Sequence, residues 1–254
     1  MYCDLLPCLQ STVFPAKRAL NLSLRLSQSV YDCTPFHFMP RKPDVLNQLK
    51  ATGVVAVIRI DQPGDLVDVA RALAKGGVLF MEITMTVPNA LQAIKETVSA
   101  LKDEIVIGAG TVLDARTAHS AILAGAAYIV SPALRPSVIE TCRHHDVACM
   151  PGAMTPTEVL EAWELGADIV KIFPAGVGGP RFIQDLKGPF PHIELMPTGS
   201  VNKETAPQFI QAGACAIGVG GELANTSMIV SRQFDQITQN ARDYIEIVKK
   251  ARAR

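Results

Sequence analysis

The chain has 254 residues, its 24 Lys and Arg are matched by 24 Asp and Glu, and 48% of it is hydrophobic. That length suits one large domain or two small ones, with a core that needs no disulfides or metals. Even charge argues against a nucleic-acid binder, which carries a basic excess, and uncharged runs such as residues 121–130 fall short of the ~18 apolar residues of a membrane span.

Charged residues make up 19% of the chain and aromatic residues 6%. Both favour tight helix-on-sheet packing with much of the chain in interior or interface. Residues 1–40 show neither helical nor strand periodicity and contain Pro7, Pro15, Pro35 and Pro40. Three readings fit them: an unstructured extension, a targeting segment with basic Lys17, Arg18 and Arg25, or a start placed upstream of a true Met39. Of the cysteines, Cys3, Cys8 and Cys33 fall in this segment, and Cys142, Cys149 and Cys215 fall in the body without metal-ligand spacing. They read as unpaired thiols of a reducing compartment, so the expected location is the cytoplasm.

Ordered structure is expected from residue 44, as a short helix closed by Gly53. From there one phrase recurs: helical pattern, glycine, short apolar run. The glycines are Gly77, Gly125, Gly166 and Gly213, and the runs that follow them span 78–83, 126–130, 167–172 and 214–219. Glycine after the last helical residue is a left-handed cap that feeds the next element. Further strands are expected at 54–60, 105–109, 147–150 and 193–197. Continuous Val, Ile and Ala runs mark strands buried on both faces, as in a parallel sheet. Eight strands alternating with helices favour a single-domain (β/α)8 barrel over residues 41–254, against a doubly wound sheet. No GxGxxG follows the first strand, which weakens the dinucleotide-binding alternative.

In such a barrel the chemistry sits where strands end. Those ends carry Arg59, Glu82, Thr84, Thr86, Thr111, Pro132, Lys171, Phe173, Thr198, Gly199, Ser200, Gly220 and Gly221. Lys171 lies inside an apolar strand, where surroundings without water disfavour the ammonium, and a neutral amine is what Schiff-base formation requires. The plain alternative is a structural pair with Asp168 or Glu82. Glu82, itself within an apolar run, suits general acid–base work. Arg59 could grip a carboxylate or form a rim salt bridge. Gly220 and Gly221, with Gly199 and Ser200, expose backbone N–H groups where barrels often bind phosphate. The histidines lie away from the strand ends and form no HxH or HExxH, so neither metal nor other cofactor is expected.

Taken together, the strand-end phrases resemble those of the pyruvate-dependent class I aldolases that cleave 2-keto-3-deoxy-6-phosphogluconate (KDPG). Relatives of that family act on the 6-phosphogalactonate epimer or on 4-hydroxy-2-oxoglutarate. The match runs in order through Glu82-Ile-Thr-Met-Thr-Val-Pro88, Gly108-Ala-Gly-Thr111, Ser131-Pro132, Met150-Pro-Gly152, Lys171-Ile-Phe-Pro174, Pro197-Thr-Gly199 and Gly218-Val-Gly220. The resemblance implies a (β/α)8 barrel, a homotrimer, no metal and a small 2-keto acid substrate of the Entner–Doudoroff type. It implies Lys171 as the imine-forming residue and Glu82 as general acid/base. Arg59, Thr84, Thr86, Thr111, Pro132, Phe173 and Thr198 would bind substrate, and Gly199, Ser200, Gly220 and Gly221 would cradle phosphate.

Three positions depart from the family pattern. Thr86 stands where some members have Arg, Ser200 where Gly is common, and Gly221 with Glu222 where many members have Ser. The first shifts carboxylate recognition toward Arg59, and the others bear on the phosphate end. Two rivals remain at this level: a phosphate-binding barrel isomerase or synthase without an imine, and a catalytically dead barrel serving as an interaction module.

Overall fold

Helix and strand alternate through the computed structural model, which describes residues 40–61, 66–101 and 104–253. The expectations for the first 39 residues lie outside the described residues. The strands are β1 (Val54–Ile58), β2 (Phe80–Thr84), β3 (Val106–Gly110), β4 (Tyr128–Val130) and β5 (Ala148–Met150). They continue with β6 (Gly152–Ala153), β7 (Val170–Ile172), β8 (Leu195–Pro197) and β9 (Ile217–Val219). Each of the eight expected strands is present, most of them shorter than expected, and β6 is an added short strand beyond the expected end of the fifth at Met150.

Pro151 separates β5 from β6, because proline has no N–H to give to a ladder. Its carbonyl still accepts from the Lys171 N–H at 2.9 Å, so the strand edge carries on past the break. The strands run parallel in two sheets, ordered β5-β4-β3-β2-β1-β9 and β6-β7-β8. Thr198, just beyond β8, bridges Gly218 of β9. The Cys215 N–H donates to the Leu195 carbonyl at 3.0 Å. The architecture is an α/β fold whose parallel sheet is curled.

The recurring glycine phrase has one local geometry. Gly77, Gly125, Gly166 and Gly213 have φ between 93° and 104°, a region that L side chains avoid. In each copy the next amide reaches back five residues: Val78 to Leu73, Ala126 to Ala121, Ala167 to Ala162 and Ala214 to Phe209, at 3.0–3.1 Å. That is the six-to-one bond of a Schellman end, and it turns each helix directly into the following strand.

Two apolar cores follow from the curl. The larger joins outward strand residues such as Val54, Ala56 and Ile58 to helix residues such as Leu66, Val69 and Leu73. The smaller lines the concave side with Val55, Phe80, Tyr128, Val130, Met150, Ile169 and Met196. Val45 and Leu49 of the first helix, Lys42–Thr52, belong to this inner core. Gly53 ends that helix as expected, with φ 74° and its N–H on the Leu49 carbonyl at 2.7 Å. A half-buried ion pair, Lys42 to Asp168 at 2.8 Å, ties the helix to the sheet, and Asp168 also accepts from the Cys149 N–H at 2.9 Å.

Leu49 is fully buried, so Leu49→Ala leaves a cavity where the helix meets the inner core. Urea unfolding of this variant should show about 2–5 kcal/mol of lost stability. A loss below about 0.5 kcal/mol would contradict the packing described.

Candidate active site

The concave face is apolar except along one row. Glu82 of β2 pairs in register with Gly108 of β3. Ala109 pairs with Ile129, so Tyr128 of β4 stands next along that row. Across the interior, Lys171 of β7 lies between Gly152 and Met196. Its Nζ is 4.0 Å from Glu82 Oε1, with the two side chains 6% and 1% exposed. The Phe173 ring covers the same amine, its centroid 5.3 Å from Nζ.

Absent side chains make this arrangement possible. A Cβ added to Gly110 would overlap the Glu82 carboxyl group, and one added to Gly108 would overlap the Tyr128 ring. These glycines therefore supply volume, not a turn: β3 is kept bare so that its neighbours can lean across it. Among the described residues neither Glu82 oxygen has a hydrogen-bond partner, and the same holds for Tyr128 Oη and Thr198 Oγ1.

The energetics argue against a purely structural pair. At 4 Å the attraction of two unit charges is about 4 kcal/mol at an effective dielectric constant near 20. Removing each ion from water costs several kcal/mol. Without further hydrogen bonds on Glu82, the pair contributes little to folding, so its chemistry is the better account of it. Of the two structural partners open to Lys171 in the sequence, Glu82 meets it, whereas Asp168 is engaged with Lys42.

Beside the pair opens a cavity of about 430 Å³. Its walls include Arg59, Phe173, Thr198, Gly199, Ser200, Gly220 and Gly221, seven of the residues singled out from the strand ends. Phe173 links the two zones, since it lines the cavity and touches the amine. Lys171, Glu82, Thr84, Thr86, Thr111 and Pro132 are not on these walls. Thr84 is buried and shares a 2.7 Å hydrogen bond with the exposed Thr86. Thr111 takes a left-handed φ of 56° where β3 ends. Pro132 presents its carbonyl to Gly152, where any Cβ would clash.

Ser200 keeps a left-handed backbone, φ 58°, after Gly199 at 89°. Serine thus holds a conformation that glycine adopts more easily, at a cost of roughly 1–2 kcal/mol, and its side chain packs over Gly176. Arg59 is exposed and forms no ion pair among the described residues, so the rim salt bridge is not made. Glu222, Asn202, Asn225 and Thr226 also line the cavity, and none but Glu222 stood out in the sequence.

Tyr128 was likewise missed; its only signal was a tyrosine within an otherwise aliphatic run. Burial, and then the nearby Glu82 carboxylate, push its hydroxyl well above the ordinary tyrosine range, so it is a neutral donor. The described cysteines are free thiols, as expected. Burial pushes the Cys215 thiol up to about 12, and a hydrogen bond with Cys142, followed by burial, raises Cys149. Among the described residues there is no group of three or more His, Cys, Asp or Glu able to hold a metal ion. No described helix is long and apolar enough to cross a membrane.

A lysine amine and a carboxylate held together out of water, at the inner edge of a curled parallel sheet, define an enzyme of the amine-using α/β class. Comparison with known proteins narrows that class. The model of the KDPG and KHG aldolase family matches residues 45–240. The chain belongs to that family and is an aldolase, a carbon–carbon lyase. It is 31% identical to a 2-dehydro-3-deoxy-phosphogluconate aldolase of Treponema pallidum, over 80% of this chain and 97% of that protein. A Pseudomonas aeruginosa enzyme of the same description is 34% identical over 76% of this chain and 88% of its own length. Among solved structures, KDPG aldolase of Legionella pneumophila, with pyruvate captured as a covalent carbinolamine, matches with a TM-score of 0.73 and 27% identity. That match covers 78% of this chain and 96% of the other.

Gly110→Ala puts a methyl group where the Glu82 carboxyl lies. Overpacking of this kind costs about 1–3 kcal/mol, and displacing Glu82 should lower kcat for aldol cleavage at least tenfold. Steady-state kinetics showing an unchanged kcat would contradict the role given to the bare strand.

Proposed function

We propose that this chain is a lysine Schiff-base aldolase that cleaves a 2-keto-3-deoxy-6-phospho sugar acid of the KDPG type to pyruvate and glyceraldehyde 3-phosphate. The observation that carries this reading is the Lys171 amine 4.0 Å from the Glu82 carboxylate within an apolar interior. Proton transfer from the ammonium to the carboxylate discharges both groups at once, leaving a neutral nucleophile and a loaded acid. Lys171 Nζ then adds to the C2 carbonyl, Glu82 gives its proton to the departing oxygen, and loss of water leaves the protonated imine and the Glu82 carboxylate. Glu82, as carboxylate, takes the proton of the C4 hydroxyl. The C3–C4 bond breaks, its electrons pass to the imine nitrogen, and the aldehyde departs. Glu82 returns its proton to C3 of the enamine, and water releases pyruvate from Lys171. The imine nitrogen is the electron sink, so the chemistry calls for neither metal nor cofactor.

In this reading Arg59 holds the substrate carboxylate, and Phe173 packs beside the imine. Thr84, Thr86, Thr111, Pro132 and Thr198 orient the chain of hydroxyls. Gly199, Ser200, Gly220 and Gly221, all on the cavity wall, cradle the phosphate. The 6-phosphogalactonate epimer offers the same atoms to Lys171 and Glu82. Glu222 on the same wall favours a second reading, in which the substrate is the unphosphorylated 4-hydroxy-2-oxoglutarate.

The same proposal includes a closed (β/α)8 barrel forming one domain over residues 41–254. The Thr198–Gly218 bridge supports it, together with the pairing of β1 with β9. Assembly into a homotrimer is part of the same reading. The cytoplasm and the Entner–Doudoroff route are where such a sugar-acid lyase would work.

Borohydride reduction in the presence of pyruvate should add the reduced pyruvyl mass to the peptide bearing Lys171, and Lys171→Met should abolish it. Label on another residue, or none, would overturn the Schiff-base reading. Cleavage of the 6-phospho sugar acid should exceed that of the unphosphorylated compounds in kcat/KM by at least tenfold. The reverse preference would overturn the phosphate cradle.

A further inference from the structure

The aldolase reading gives work to Lys171 and Glu82 and none to the third polar group of the inner row. Tyr128 is fully buried, in a layer otherwise made of Val55, Phe80, Val130 and Met150. Its ring leans over Gly108, the residue paired with Glu82, and meets Phe80 with centroids 5.7 Å apart. A phenylalanine would fill that apolar volume equally well. Among the described residues the hydroxyl has no hydrogen-bond partner, and neither do the two oxygens of Glu82. A buried hydroxyl without a partner is costly, and such groups are typically reconciled by one shared water.

We propose that Tyr128 is a positioning residue for Glu82, its hydroxyl donating through one buried water to the carboxylate and holding it toward Lys171. The inference rests on the aldolase reading and adds to it the residue that keeps the general base aimed. The Tyr128 hydroxyl remains a neutral donor throughout the working pH range, since burial and the Glu82 charge both oppose its ionisation. Among the described residues, the other ionisable group facing this row is Lys171 of β7. The positions beside them, Gly108 and Gly110 of β3, Ala148 of β5, Thr198 just beyond β8 and Gly218 of β9, do not titrate.

A hydrogen bond given to the ionised carboxylate favours that form, so its loss moves protonation to higher pH. The test is the pH dependence of kcat for Tyr128→Phe, with wild-type cleavage and borohydride trapping on Lys171 measured first. The acid limb should move up by about one pH unit and kcat at pH 6 should fall about tenfold. KM should change less than twofold, because Tyr128 does not line the cavity that takes the substrate. Replacing Tyr128 by 3-fluorotyrosine, a stronger donor of nearly equal size, should move the limb down. This second variant decides the matter if the phenylalanine protein does not fold. An unmoved limb in variants that still trap pyruvate would overturn the proposal for Tyr128 alone. Absence of trapping in the wild-type chain would overturn the aldolase reading and this inference together.

Discussion

An ammonium and a carboxylate 4.0 Å apart, both shielded from water, constrain almost everything around them. Such a pair persists only if its neighbours leave room for it, exclude competing water and hold both stems in place. Here the room comes from Gly108 and Gly110, each so tightly approached that no side chain could be added. The exclusion comes from the inner core below, from Phe80 to Met196, and from the Phe173 ring beside the amine. Both stems leave the middle of short, fully buried strands. Little net stability comes from the pair, so the fold supports the site more than the site supports the fold.

That division of labour is visible in the two apolar cores. The outer one, between helices and strands, is larger and mostly aliphatic. The inner one is smaller, and the first helix extends it with Val45 and Leu49. Above it the apolar character gives way to Glu82, Lys171 and Thr198, and then to the cavity bounded by Arg59 and the glycine-rich turns after β8 and β9. The gradient from dry to wet along the strands is what an enzyme needs when a neutral amine must form below a charged substrate.

Much of this was legible in the sequence because it rests on local rules. The four glycine-ended helices could be read because a left-handed cap admits few residues besides glycine, and each became the same Schellman turn. The strands could be read because burial on both faces leaves continuous Val, Ile and Ala runs. Lys171 and Glu82 stood out as charges inside such runs. What stayed hidden depends on neighbours far apart in sequence. Whether Lys171 meets Asp168 or Glu82 is settled by strand register, not by either segment alone. Pro151 reads as the end of a strand, yet pairing resumes beyond it, where Gly152 and Ala153 lie beside β7. The bareness of β3 looks like an ordinary Gly-Ala-Gly end until Glu82 and Tyr128 lean over it. Tyr128 itself reads as one more apolar residue, because its hydroxyl acquires meaning only beside Glu82.

The central claim is that the buried Lys171–Glu82 pair is where the carbon chemistry occurs. A crystal structure of the protein soaked in pyruvate tests it most directly. Continuous density from Lys171 Nζ to C2 of pyruvate is expected, with a Glu82 oxygen within reach of the C3 methyl group, directly or across one water. Pyruvate bound elsewhere with Lys171 unmodified, or an imine from which Glu82 is turned away, would contradict the account.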